Sequence, residues 1–253
     1  MRHLVPFGQL LFRFRGWVFP VIVVLALVVS RPRHLLGDSV LDGWMDALGV
    51  CVAISGLLVR AVTIGYEYIV RGGRNRRVYA DDLVQGGIYA LTRNPMYLGN
   101  GLLILGCALI LNAPGFYLVA LPLMLLAYAS IIAAEEAYLR QKFGAQFDDY
   151  CRRVNRILPR LTGFREAIAG MRFNWRRLVT KEYNTFFWAI VQITVLCSLD
   201  DYLINGGEAV PARTLLLLGV WIALYLVVWG LKKSGRLHAL ATDAGAEKPP
   251  RTT

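Results

Sequence analysis

Hydrophobic positions in this chain gather into long runs instead of the short alternating stripes of a soluble fold. Trp17 to Ser30 is apolar over 14 residues, short of the roughly 20 that cross a bilayer. It lengthens toward Leu10 if Arg13 and Arg15 snorkel to the interface, and Ser30-Arg31-Pro32-Arg33 is a poor small-residue cleavage site, so a retained helix is expected. Trp44 to Tyr66 predicts a full span, with Arg60 near its far end as a snorkelling residue or one facing a site. Tyr97 to Leu111 and Phe116 to Ala134 are separated only by Asn112-Ala113-Pro114-Gly115, which predicts an antiparallel helical hairpin whose first arm either spans or wedges into the bilayer. Phe186 to Ile204 and Leu215 to Leu231 predict a second hairpin, with Asp200, Asp201 and Glu208 at its turn. The expected fold is all-α and polytopic, with about six membrane helices, the third complete or partial.

The segments between the runs have a different rhythm. From Glu135 to Arg156, Leu139, Phe143, Phe147, Tyr150 and Val154 recur every three or four residues among charges, the pattern of an amphipathic helix following the fourth membrane helix. Arg160 to Lys181 is basic and carries Phe164, Phe173 and Trp175, as an interfacial segment would. Pro95 donates no backbone hydrogen bond and biases Asn94 away from helix, so a helix is expected to begin at Pro95 or Met96. These features divide the chain into N-terminal helices and a basic loop (1–85), a core (86–160), an interfacial segment (161–182), a C-terminal hairpin (183–233) and a disordered tail (234–253).

Composition narrows the function classes. With 56% hydrophobic and 18% charged residues and a mean hydropathy of +0.47, the chain reads as an integral membrane protein. The formal charge of +11 then has a topological meaning and not a nucleic-acid one, since no recognition module accompanies it. Lys and Arg concentrate at the N-terminus and after the second, fourth and sixth runs, including Arg71-Gly72-Gly73-Arg74-Asn75-Arg76-Arg77, whereas the loops after the first and fifth are acidic. The positive-inside bias therefore places both termini, and both ends of the central hairpin, on the cytoplasmic side, next to membrane lipids that basic loops attract. Cys51, Cys107 and Cys197 fall in apolar runs and Cys151 in a basic helix; neither they nor His3, His34 and His238 have metal-ligand spacing, so no metal site or disulfide framework is suggested.

The chemistry-bearing residues converge at one place. Gly86-Gly87-Ile88-Tyr89 and Arg93-Asn94-Pro95-Met96-Tyr97-Leu98-Gly99 precede the central hairpin; Glu135-Glu136, Phe143-Gly144, Tyr150, Val154, Arg156 and Pro159 follow it. An arginine fork suits a carboxylate, tyrosine faces attract a cation, and adjacent carboxylates accept from ammonium or hydroxyl groups. Tyr89, Arg93, Asn94, Tyr97, Glu135 and Glu136, with Arg156 as a further member, together suit a ligand carrying both a carboxylate and a positive charge. The same residues also read as an Arg–Glu network that anchors the hairpin at the interface.

This ordered set resembles the membrane methyltransferases, the superfamily of isoprenylcysteine carboxyl methyltransferases and phospholipid N-methyltransferases. The resemblance implies S-adenosylmethionine as cofactor, with Tyr89, Arg93, Asn94, Pro95 and Tyr97 on one side of its site and Glu135 and Glu136 on the other. It implies catalytic roles for Arg93, Glu135 and Glu136, and methyl transfer to a lipid-like or prenylated acceptor at the cytoplasmic face. Two departures bear on chemistry. Asn94 stands where His is commoner in the family, and Ile131-Ile132-Ala133-Ala134 lacks the Arg that the prenylcysteine branch carries before its glutamates. Membrane sterol reductases, which use NADPH, share the Arg-x-Pro-x-Tyr pattern but carry Asp-Glu at the carboxylate pair. A non-enzymatic scaffold or transporter subunit is the third reading, and the last hairpin could pack on the core or on a second copy of the chain.

Overall fold

A computed structural model describes residues 6–14, 21–22, 25, 38–66, 71–74, 77–80, 82–160, 162–205, 210–235 and 237. The expectations for most of the first apolar run, for Glu208 and for the tail fall outside these residues. The longer described stretches hold, in chain order, the helices α1 Ser39–Tyr66, α2 Pro95–Leu111, α3 Leu121–Phe143, α4 Ala145–Arg153, α5 Phe164–Ile168, α6 Trp175–Asn205 and α7 Val210–Lys233. A further helical stretch at 6–14 lies against α3, where Leu11 and Phe12 pack on Ala127 and Ile131. The basic loop after α1 forms a two-stranded antiparallel hairpin, β1 Arg71–Arg74 with β2 Arg77–Ala80.

Among the described residues, four helical segments are long and apolar enough to cross a membrane: Ser39–Tyr66, Phe116–Phe143, Trp175–Leu203 and Pro211–Lys233. The 17-residue α2 extends about 25 Å at 1.5 Å per residue, a little less than the roughly 30 Å hydrocarbon layer. It is held along α1 by glycines that let the two backbones touch. A methyl group built on Gly56 would sit 2.5 Å from the Gly99 carbonyl oxygen, and one on Gly106 would sit 2.5 Å from that of Gly49. Both glycine pairs are spaced by seven residues, so they recur on one face of each helix. Small residues of this kind replace the hydrophobic drive that lipid cannot supply. Farther along the same seam, the Asn112 amide donates to Asp42 Oδ1 at 3.3 Å, which sets α2 level with the stretch of α1 from Asp42 to Arg60.

The turn between α2 and α3 has local causes. Asn112 closes α2 in the left-handed region (φ 40°), a conformation Asn tolerates better than most side chains. Pro122 cannot return a hydrogen bond to Leu118, and Phe116–Ala120, just before it, takes a π-helical turn. Cys107, Ala108, Ile110, Leu111, Phe116, Ala120 and Met124 form the principal core here, closed by Leu196 of α6. At its other end α3 runs on through Glu135 and Glu136 and stops at Gly144 (φ 53°). The amphipathic stripe is therefore carried by two helices and not one: Leu139 comes from α3, Phe147 and Tyr150 from α4, and Val154 from the residue that ends α4.

Arg60 neither snorkels nor faces the candidate site. Its guanidinium donates to Glu182 Oε2 of α6 at 2.9 and 2.6 Å and to Asn100 Oδ1 of α2 at 2.5 Å, tying three helices together where both charged side chains are buried. Helix α7 packs on α6.

Candidate active site

Two chain segments some 60 residues apart are sewn together beside the N-terminal end of α2 and the C-terminal end of α3. The Arg93 N–H donates to the Asn155 carbonyl at 2.9 Å, and the Arg160 N–H donates to the Leu91 carbonyl at 3.0 Å. The Thr92 hydroxyl donates to the Ile157 carbonyl at 2.8 Å, and the Asn94 amide to the Arg156 carbonyl at 3.0 Å. The Tyr150 hydroxyl donates to the Tyr89 carbonyl at 2.7 Å, which pins the 3-10 turn Gly87–Ala90 against α4. Backbone polar groups in this irregular region thus find partners without secondary structure, as burial requires.

Two carboxylates stand against this frame. Glu135 and Glu136 are adjacent on α3 and so project about 100° apart around it. Glu135 Oε1 accepts from the Tyr97 hydroxyl at 2.6 Å. Glu136 is clasped by two arginines: Arg93 Nη1 lies 3.2 Å from Oε1 and Arg156 Nη2 lies 2.9 Å from Oε2, while Arg156 Nε donates to Oε1 at 3.2 Å. Glu135 and Glu136 retain 5% and 9% of their exposure, so these contacts act where water screens them little. Arg93 Nη1 also donates to the thiol sulfur of Cys151 at 2.5 Å. Burial pushes the Cys151 thiol above its usual range, and the neighbouring Arg93 partly offsets that rise.

An apolar cavity of about 320 Å³ opens between α2 and α3 next to these groups. Tyr97, Tyr128 and Arg156 line its polar end; Leu102, Leu105 and Leu125 line the remainder. The rings of Tyr97 and Tyr128 meet edge to face at 5.5 Å.

Arg93, Tyr97, Glu135 and Glu136 thus come together around one end of the hairpin, with Tyr89 and Pro95 buried beside them. Asn94 is buried as well, and its amide is committed to the backbone of the returning segment. Arg156, read from the sequence as a candidate at this end of the hairpin but not among the cofactor-holding residues that the resemblance implies, makes the closer of the two ion pairs to Glu136; Tyr128, which the motif reading did not include, shares the cavity wall with Tyr97. Tyr128 had a signal in the sequence: it lies seven residues before Glu135, on the same face of one helix.

The phospholipid methyltransferase family model matches residues 47–146. The chain is 28% identical over 160 residues to the nickel-cobalt-cadmium resistance protein NccN of Alcaligenes xylosoxydans xylosoxydans, covering 63% of this chain and 71% of that one. It is 30% identical over 154 residues to the cobalt-zinc-cadmium resistance protein CzcN of Cupriavidus metallidurans, covering 60% and 67%. A probable protein-S-isoprenylcysteine O-methyltransferase of Oryza sativa subsp. indica is 30% identical over 149 residues, covering 54% and 75%. No solved structure matches the chain. With the motifs brought together at one helix-hairpin end and these relatives alongside, the chain belongs to the superfamily of integral membrane methyltransferases that includes the isoprenylcysteine carboxyl methyltransferases and the phospholipid methyltransferases.

Proposed function

We propose that the protein transfers a methyl group from S-adenosylmethionine to a lipid-like or isoprenoid-bearing acceptor at the cytoplasmic membrane face. The observation that carries this reading is the juxtaposition of an ionic cluster, Arg93–Glu136–Arg156, with an apolar cavity opening between two membrane helices. A polar reactant and a greasy one then meet at one boundary, each in the solvent it prefers.

The residues present fit the cofactor. Arg156 Nη2 is buried, pairs electrostatically with Glu136 and has no aligned hydrogen-bond acceptor, which suits an incoming carboxylate. The rings of Tyr97 and Tyr128 at the cavity end suit a sulfonium, whose positive charge is drawn to aromatic faces. When bound, the cofactor supplies an already activated methyl group, so the protein's main task is alignment. Orientation of reactants contributes up to about 7–11 kcal/mol in favourable intramolecular cases.

In this reading Glu136 fixes the guanidiniums of Arg93 and Arg156, so that both are already in place when the amino-acid moiety of the cofactor binds. Tyr97 is oriented by Glu135 so that its ring faces the cavity. A carboxylate acceptor needs no base; an amine acceptor must lose a proton, which Glu135, beside the cavity, would take. The basic ends of the membrane helices support a cytoplasmic placement of this cluster. The acceptor's tail occupies the Leu102–Leu105–Leu125 wall and reaches the site sideways from the bilayer.

Calorimetry on the detergent-purified chain tests the cofactor: S-adenosylmethionine should bind, and Tyr97→Phe and Glu136→Ala should weaken it. No detectable heat at millimolar ligand refutes the reading, and thermal stabilisation by NADPH instead would favour the reductase alternative. Incubation with a lipid extract and radiolabelled methyl donor, followed by chromatography of the product, identifies the acceptor.

A further inference from the structure

The C-terminal hairpin lies beyond the stretch that the family model matches, and it carries a second cavity. About 260 Å³ lies between α6 and α7, walled by Tyr183, Phe186 and Phe187 of α6 and by Trp221, Leu224 and Tyr225 of α7, among others. The α7 members recur at three- and four-residue steps, so they form one face. Tyr183 and Tyr225 stack at 5.5 Å and Phe187 meets Tyr225 at 4.4 Å, giving the groove a rigid aromatic wall. Lys232 continues the same face of α7, with its ammonium 4.6 Å over the Tyr183 ring and donating to the Thr180 carbonyl at 3.1 Å. An ammonium has three N–H groups, and that backbone bond uses one.

Charge is distributed asymmetrically along this groove. At one end stand Arg176, Arg177 and Lys181 of α6 with Lys232 and Lys233 of α7, while Glu182 of the same stretch of α6 is paired with Arg60. At the other end of α6 lie Asp200 and Asp201. Trp221 lies about 16 Å along α7 from Lys232, and its indole nitrogen is buried with no hydrogen-bond partner.

We infer that the α6–α7 groove is a binding site for an anionic phospholipid of the leaflet that the basic helix ends face. Its phosphate sits at Lys232 and its acyl chain runs along the aromatic wall toward Trp221. Charge complementarity selects the headgroup, because a zwitterionic lipid gains less from a rim of like positive charges, and the apolar wall selects a chain over a soluble phosphate. The site is separate from the methyl-transfer cluster, and the inference does not depend on that reading.

Tryptophan quenching tests it on the full chain. The protein is placed in phosphatidylcholine nanodiscs containing a minor fraction of either phosphatidylglycerol or phosphatidylcholine brominated on the acyl chain. The Trp221 contribution is the difference between the native chain and Trp221→Phe. Quenching of that contribution should be at least twofold greater with brominated phosphatidylglycerol. Lys232→Gln should bring it down to the phosphatidylcholine level, and Lys232→Arg should keep it high. High salt added to the native chain should erase the preference without any substitution, since screening weakens the headgroup contact and not the chain contact. Equal quenching by the two lipids overturns the inference, as does a preference that survives both Lys232→Gln and salt.

Discussion

At the scale of single residues, the clasp on Glu136 decides the most. Hydrogen bonds to charged groups are worth about 1.5–3 kcal/mol, so Glu136→Gln, which keeps the shape but removes the charge, should weaken donor binding roughly ten- to hundredfold. Calorimetry and the rate of methyl transfer should fall together. Cys151 gives a prediction of opposite character. Its thiol is raised by burial, so at neutral pH even less of it is thiolate, the reactive form, than in an ordinary cysteine. Iodoacetamide should therefore label Cys151 slowly at neutral pH, with a rate that climbs only above the usual thiol range; fast labelling at pH 7 would contradict the assignment. The ion-pairing chemistry of the site was readable in advance from Arg93, Tyr97 and the adjacent glutamates, because motif order keeps them together. Arg156 lay inside the same motif, but its closeness to Glu136 depends on how the returning segment is sewn to residues 91–94. No periodicity reports that.

At the scale of elements, two seams hold the helices in place. The first is the glycine contact between α1 and α2. A methyl group on Gly56 would strike backbone and not a flexible side chain, so Gly56→Val should force the helices apart and lower thermal stability by several degrees. Gly101→Ala on the open side of α2 meets nothing within 4 Å and should leave stability unchanged or slightly raised. The second seam is Arg60–Glu182. Removing one partner of a buried pair costs about 3–5 kcal/mol, because the other charge stays buried alone. Arg60→Met should thus be far more damaging than the double change Arg60→Met with Glu182→Met, as thermal unfolding in detergent would record. The helices themselves were legible from their apolar runs, and the start of α2 from Pro95. The partner of Arg60 was not, since Glu182 lies 122 residues away in a segment that reads as interfacial. Nor was the division of the amphipathic stripe, which Gly144 imposes through a backbone angle while leaving the stripe's spacing intact.

At the scale of the whole molecule, the chain is a membrane-embedded helical assembly whose Arg–Glu–Tyr cluster is gathered at one end of the central hairpin. α7 packs on α6, and shortening the chain before α7 removes one wall of the α6–α7 groove while the motif-bearing core remains. The glycine seam also has a bearing on where the enzyme can work. Backbone-to-backbone contact leaves no side chain to readjust, so the depth of α2, and with it Tyr97, is geared rigidly to α1. A molecule built this way cannot slide its helices to suit a thicker bilayer; it must tilt, or deform the lipid around it, at a modest cost for each ångström of mismatch. Turnover in vesicles of graded acyl-chain length should therefore pass through a maximum, and the enzyme should favour membranes whose thickness matches its own fixed gauge.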